Sequence, residues 1–361
     1  MQSEWGHALQ LTVFGGSHEP ELGMVLRGVP KGTPVDLDAL QSFVSRRAPG
    51  SGVGSTARSE ADRVIVQRGI ADGAADGGEI VAVIRNTNAD SKPYAVFRDV
   101  PRPSQIDLPA RWRFGEDVDL RGGGHFSGRM TAAYCIAGGI ALQALARRGV
   151  RIAAHLLSVG DVFDRAFDPV EPDGLDDLPF KPFPVLDEHA GSAMQRAIAE
   201  AKADGDSLGG SIECIVTGLE RGRGTPLFDG VDSRLASLLF SVPAVRAVAF
   251  GSGFQAARMK GSEHNDPYVL KNGGIATETN RHGGIIGGIT TGMPIVFTVA
   301  VKPAASIAKP QTTLRLSTGE QETLCIEGRH DACIAVRAVP VIEAVAALAL
   351  YDLILEETHA E

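Results

Sequence analysis

Two stretches of this chain are small and apolar on nearly every side. Ser127 to Arg147 contains the run Thr-Ala-Ala-Tyr-Cys-Ile-Ala-Gly-Gly-Ile-Ala-Leu, and Ala335 to Leu355 reads the same way. A helix without a polar stripe has no face to give to water, so each stretch predicts a buried helix with close neighbours. Two such helices require cover on both sides, and the strand-like stretches elsewhere can supply it as sheets. No repeat of solenoid or propeller period and no clean linker interrupts the 361 residues, so the expectation is one intertwined α+β domain. A hydrophobic content of 43% is enough to build its core.

Local patterns fill in the frame. Leu9 to Val29 reads as strand, tight loop and strand, with the loop at Gly15-Gly16-Ser17-His18-Glu19-Pro20. Asp36 is a helix N-cap, followed by Leu37, Leu40, Phe43 and Val44 at helical spacing as far as Arg47. Residues 48 to 59 are rich in Gly, Ser and Pro and mark a mobile loop. Strands are expected at 63–67 and 79–86, then a long irregular stretch from Asn86 to Gly124 with many arginines and prolines. Pro169 to Asp187, proline-rich and acidic, reads as a surface excursion.

A net charge of −9 argues against a nucleic-acid partner or an acidic membrane surface. An anionic small molecule would need arginines gathered locally against that field. We find no apolar run of the roughly 20 residues that cross a bilayer and no signal sequence, so no membrane is expected and the compartment is read as cytoplasmic. Cys135, Cys214, Cys325 and Cys333 lack zinc or dithiol spacing and are read as buried, reduced thiols; no metal site is expected.

Four constellations can carry chemistry. Gly15 to Glu19 presents Ser17 and His18 at a loop tip, either for proton transfer or as a solvated turn. Arg121-Gly122-Gly123-Gly124-His125-Phe126-Ser127-Gly128-Arg129 runs three glycines into a helix start with Ser127 as cap, either an anion cradle or a hinge for close packing. Asn280 to Gly292, with its Gly-Gly-x-x-Gly-Gly order, fits a flat ring on the backbone, although composition alone favours tight sheet packing. Gly328-Arg329-His330-Asp331 sets an anion-binding arginine beside a carboxylate that acts as proton acceptor or, more readily, as salt-bridge partner.

Together these segments resemble the chorismate synthase family from Phe14 to about Leu355. Phe14 to Pro30, Arg121 to Ile140 and Arg329 to Ala346 are similar to its three signatures, and Gly205 to Gly209, Gly251 to Phe254, Lys260 to Ser262 and Lys302-Pro303 match in order. The resemblance implies a single domain, a sandwich of helices between antiparallel sheets, with mobile loops near 45–60, 86–124 and 303–330. It also implies a homotetramer, reduced FMN as cofactor, and redox-neutral elimination of phosphate and a proton from 5-enolpyruvylshikimate-3-phosphate. The reduced flavin would come either from this chain's own use of NADPH or from a separate flavin reductase.

Residue by residue, the resemblance assigns Arg47, Arg58, Arg102, Arg129 and Arg329 to the anionic substrate. His18 matches a histidine that protonates the reduced flavin, and Ser17 and Asp331 match a proton relay. Ser127, Gly288, Lys302, Pro303, Ala304, Ala305, Ser306 and Arg329 match positions around FMN, with His125, Phe126, Pro243 and Ala244 beside them. The chain departs from the family at several of these. Gly16 and Glu19 replace Glu and Gly in the first loop, Phe126 a serine, Pro243 an asparagine, Val53 an arginine, and Gln105 stands where a second catalytic histidine is usual. Glutamine donates hydrogen bonds but delivers no proton at neutral pH. His125, in place of a family arginine, is the substitute to examine. Two rival readings follow: a flavin- or anion-binding relative without turnover, and an NADPH-dependent flavin reductase.

Overall fold

Strands β1 (Gln2–Trp5), β2 (Gln10–Gly15), β3 (Glu21–Arg27), β4 (Ile65–Arg68) and β5 (Ile80–Arg85) form one antiparallel sheet in the order β1-β2-β3-β5-β4. A second is built from β6 (Arg151–Val159), β7 (Val162–Phe163), β8 (Gly210–Thr217), β9 (Val245–Phe250) and β10 (Ile295–Val301), ordered β9-β10-β8-β6-β7. This computed structural model describes residues 1–48, 61–87, 92–271, 273–326 and 331–360. Arg58, Arg329, Val53 and most of the predicted 45–60 loop lie outside the described residues.

The principal helices are α1 (Leu37–Arg47), α2 (Asp107–Phe114), α3 (Thr131–Ala146), α4 (Glu188–Ala203), α5 (Val231–Phe240) and α6 (Ala335–Ala360). Asp36 caps α1 as expected, its carboxylate accepting from the N–H groups of Asp38 and Ala39 at 2.9 Å each. Helices α1, α3 and α6 pack on one another; α3 also meets β2, β3 and β5, and α6 meets β6 and β8. The architecture is the sandwich of helices between antiparallel sheets, and a single cluster of buried side chains runs from Met24 through Ile136 and Leu348 to Phe297. Small residues make this closeness possible: a Cβ on Gly138 would lie 2.4 Å from the Ala344 Cβ. Gly138→Ala is therefore expected to destabilise the protein by about 1–3 kcal/mol through overpacking, read as a lower urea midpoint.

Several expectations need correction. Ala335–Thr358 is long and apolar enough to cross a bilayer, but 94% of its apolar window is buried inside the protein, where neighbouring helices and the second sheet cover that surface. Cys325 is exposed, unlike the other three cysteines. The 169–187 excursion is anchored: Leu178, Phe183 and Val185 are buried, and at its root the His155 imidazole bridges Asp164 at 3.1 Å and Glu213 at 3.0 Å. The stretch 86–124 contains α2, and 303–330 contains an antiparallel hairpin, Gln311–Arg315 with Glu320–Leu324. These were hard to read because each is short and its apolar anchors are few.

Candidate active site

The chain folds its loops around a cavity of about 860 Å³, at the edge of the helical layer. The predicted Ser17, His18, Arg47, Arg102, Gln105, His125, Phe126, Ser127, Arg129, Pro243, Ala244, Lys302, Pro303, Ala304, Ala305, Ser306 and Asp331 all line it. Gly288 does not. It sits in the turn of a small hairpin at φ +81, its carbonyl accepting from Val231 N–H at 2.9 Å and its Cα against Gly230. Here the glycine pairs serve tight packing: Gly283 and Gly284 likewise press on the backbone of Gly251 and Pro294.

His18 and Ser17 are held by the glycine turn. Gly122, Gly123 and Gly124 take φ of +61, +86 and +55, and the Gly124 carbonyl accepts from Ser17 N–H at 3.1 Å. A Cβ on Gly122 would stand 2.3 Å from the His18 ring and 2.7 Å from the Ser17 hydroxyl, so glycine is required for the two segments to meet. The His18 ring meets Tyr94 edge-on at 5.1 Å. As the sequence predicts, Ser127 caps the next turn, accepting from Arg129 N–H at 3.2 Å.

The arginines are backed by carboxylates. Asp62, fully enclosed, pairs with Arg47 at 2.7 Å and also with Arg129. Arg47 also donates to the Thr131 hydroxyl and the Gly128 carbonyl, both at 3.2 Å. Burial, then the nearby Arg337, brings the Arg47 guanidinium down to about 10 against the pull of Asp62, so it stays charged at neutral pH. Arg102 forms a fork with Asp107, at 2.8 and 2.7 Å, and lies over the Phe97 ring at 4.5 Å. Asp331 is paired, with Arg337 as its partner.

Gln105 reaches the Ser306 hydroxyl at 3.4 Å, and Arg102 reaches the same oxygen at 3.3 Å. His125 is tied down elsewhere. Its Nδ1 meets the Gly15 carbonyl at 2.8 Å and must donate there, and its Nε2 makes a hydrogen bond with the Ser3 hydroxyl at 3.0 Å. Both nitrogens are occupied, so the structure does not support His125 as the substitute acid.

Four residues of the site escaped the sequence reading: Asp62, Tyr94, Arg246 and Arg337. Arg337 had a signal, because a lone arginine within an apolar helical run needs a buried partner. Asp62, at φ +44 and only 2% exposed, had none.

Known proteins resemble this chain over nearly its whole length. The sequence profile of the family described as Chorismate synthase matches residues 9–355. The chain is 40% identical to a chorismate synthase of Lancefieldella parvula, over 98% of this chain and 96% of that protein. It is 42% identical to one of Aeropyrum pernix, over 97% and 92%. A crystal structure of a chorismate synthase superposes with a TM-score of 0.76 at 26% identity, covering 98% of this chain and 93% of that one.

Proposed function

The chain belongs to the chorismate synthase family, whose members are carbon–oxygen lyases, and from that membership we propose that it converts 5-enolpyruvylshikimate-3-phosphate to chorismate by 1,4-elimination of phosphate and a proton, with reduced FMN. The observation that carries the proposal is the convergence of Ser17, His18, Ser127 and Asp331 with six cationic side chains, Arg47, Arg102, Arg129, Arg246, Lys302 and Arg337, on one cavity.

The residues present fit such ligands. A substrate with two carboxylates and a phosphate suits a cationic wall, and the Arg337 Nε–H is buried with no hydrogen-bond partner among the described residues. Apolar side chains, among them Phe126, Met130, Ile334 and Val341, line the rest of the cavity and suit a flat ring. Lys302 to Ser306, Pro243, Ala244 and Ser127 are the residues that would hold the flavin. The chemistry supplied by bound reduced FMN is a transient loan of electron density to the allylic system as phosphate departs.

The chain's own residues do the rest. Arg129, Arg337 and Arg102 orient the anionic substrate, with Arg47 adding its charge from behind. His18 carries a proton at a position between Ser17 and Tyr94, and Asp331, paired with Arg337, takes part in moving one away. Gln105 and Ser306 offer hydrogen bonds only, so the departing phosphate receives its proton from water or from the medium.

Purified protein, chemically reduced FMN and the substrate are to be mixed anaerobically while chorismate absorbance and released phosphate are followed. Equal amounts of both products are expected. Neither product, with both ligands bound, would instead make the chain a binding relative. Gln105→His is expected to raise kcat with little change in KM, since it restores a proton donor without altering the cationic wall; an unchanged kcat would show that no donor is missing. NADPH oxidation with oxidised FMN, assayed separately, reports whether the chain reduces its own flavin.

A further inference from the structure

The six cations of the cavity divide into two groups. Arg47 and Arg129 share Asp62, Arg102 has Asp107, and Arg337 has Asp331. Among the described residues Lys302 and Arg246 have no carboxylate partner, and there the Lys302 ammonium donates only to the Ser104 carbonyl, at 2.9 Å. Burial, with Arg246 beside it, holds the Lys302 ammonium below its ordinary pKa. Like charges left together without a counter-ion disfavour the ligand-free site and favour a doubly negative ligand.

Local backbone geometry shows how the two come together. Strands β9 and β10 pair Val245 with Val301 and then Ala247 with Ala300, so Arg246 is the extra residue of a β-bulge. A bulge re-aims the side chain it carries. Here the re-aimed residue joins Lys302 in lining the cavity. The connection is tied down by Lys302 N–H donating to the Ala244 carbonyl at 2.9 Å, with Ala244 itself held at φ +77.

We propose that Arg246, delivered by this bulge, completes with Lys302 a receptor for a phosphate monoester dianion, and that the phosphate is the one at the end of the flavin cofactor's side chain. The choice of the flavin phosphate rests on the function proposed above; the receptor itself rests on the two unpaired cations and the bulge. An ester phosphate carries between one and two negative charges at neutral pH and matches the guanidinium fork.

The test is binding, read by quenching of flavin fluorescence with FMN and with riboflavin, which differs only in lacking the phosphate. The natural chain is expected to prefer FMN, and Arg246→Ala to lose about 10–100-fold in FMN affinity while leaving riboflavin unchanged. Arg246→Lys is expected to recover part of that preference, and added salt to erode it. A parallel titration with 5-enolpyruvylshikimate-3-phosphate, without flavin, separates the sources. Loss of substrate affinity in Arg246→Ala, with FMN affinity intact, would keep the receptor but overturn its assignment to the flavin. If Arg246→Ala weakens neither ligand, the receptor is overturned. If the natural chain binds no flavin at all, it is the cofactor reading that fails, and the substrate titration still decides the receptor.

Discussion

Asp62→Ala is expected to lower stability by about 3–5 kcal/mol, the cost of leaving a buried charge without its partner. Arg47 and Arg129, 2% and 6% exposed, share this one carboxylate. Without it two largely buried guanidinium groups are left together without their shared counter-charge, and Arg47 is further held in place by Thr131 and Gly128. An anion in the cavity would replace part of the lost charge, so substrate or inorganic phosphate is expected to stabilise the variant more than it stabilises the natural chain. Urea unfolding with and without each anion measures both effects. Asp62→Asn retains the shape and tolerates the positive φ of +44, and is expected to lose less. A stability of Asp62→Ala within about 1 kcal/mol of the natural chain would show that Asp62 is not the counter-charge.

Gly122→Ala is expected to reduce kcat by about 10²–10⁴-fold, as far as removal of a general acid or base does. The added methyl would occupy the place of the His18 ring edge, 2.3 Å from its nearest carbon and 2.4 Å from Nε2, and the φ of +61 resists any side chain. A side chain is displaced more readily than the backbone of the turn, so the substitution is expected to push His18 from its place beside Ser17 and Tyr94. His18→Ala is expected to match it in kcat, and the double variant to be no slower than either single one, because both changes remove the same group. Losses that multiply in the double variant would show that the glycine turn acts through something other than His18. Near-normal unfolding of the single variants, read by circular dichroism, separates this from collapse of the loop.

Much of the site was legible because its chemistry is written in short contiguous runs. Gly15 to Glu19 and Arg121 to Arg129 each carry glycines for close approach beside a polar group that uses it, and the structure brings the two together through Gly122 against His18. Lys302 to Ser306 reached the same cavity, whereas Gly288, chosen on the same kind of glycine pattern, did not. Glycine pairs allow close contact with anything, backbone or ligand, and their spacing does not say which. Arg47 and Arg102 were legible as cations but not as forks already committed to Asp62 and Asp107, since their carboxylates lie 15 and 5 residues away with no periodicity linking them.

The sequence by itself determined the periodic and contiguous features: two all-round apolar helices that demand a layer on each side, the cap at Asp36, the strands flanking the first loop and the residue types around the cavity. These depend on neighbours within a few positions, where helical and strand geometry fix who faces whom. Only the tertiary structure decided how charge is compensated, which glycines meet a functional side chain, that Arg246 sits on a bulge beside Lys302, and that His125 is occupied at both nitrogens. Those facts depend on contacts between distant segments, and burial makes such contacts strong without leaving any regular spacing in the chain.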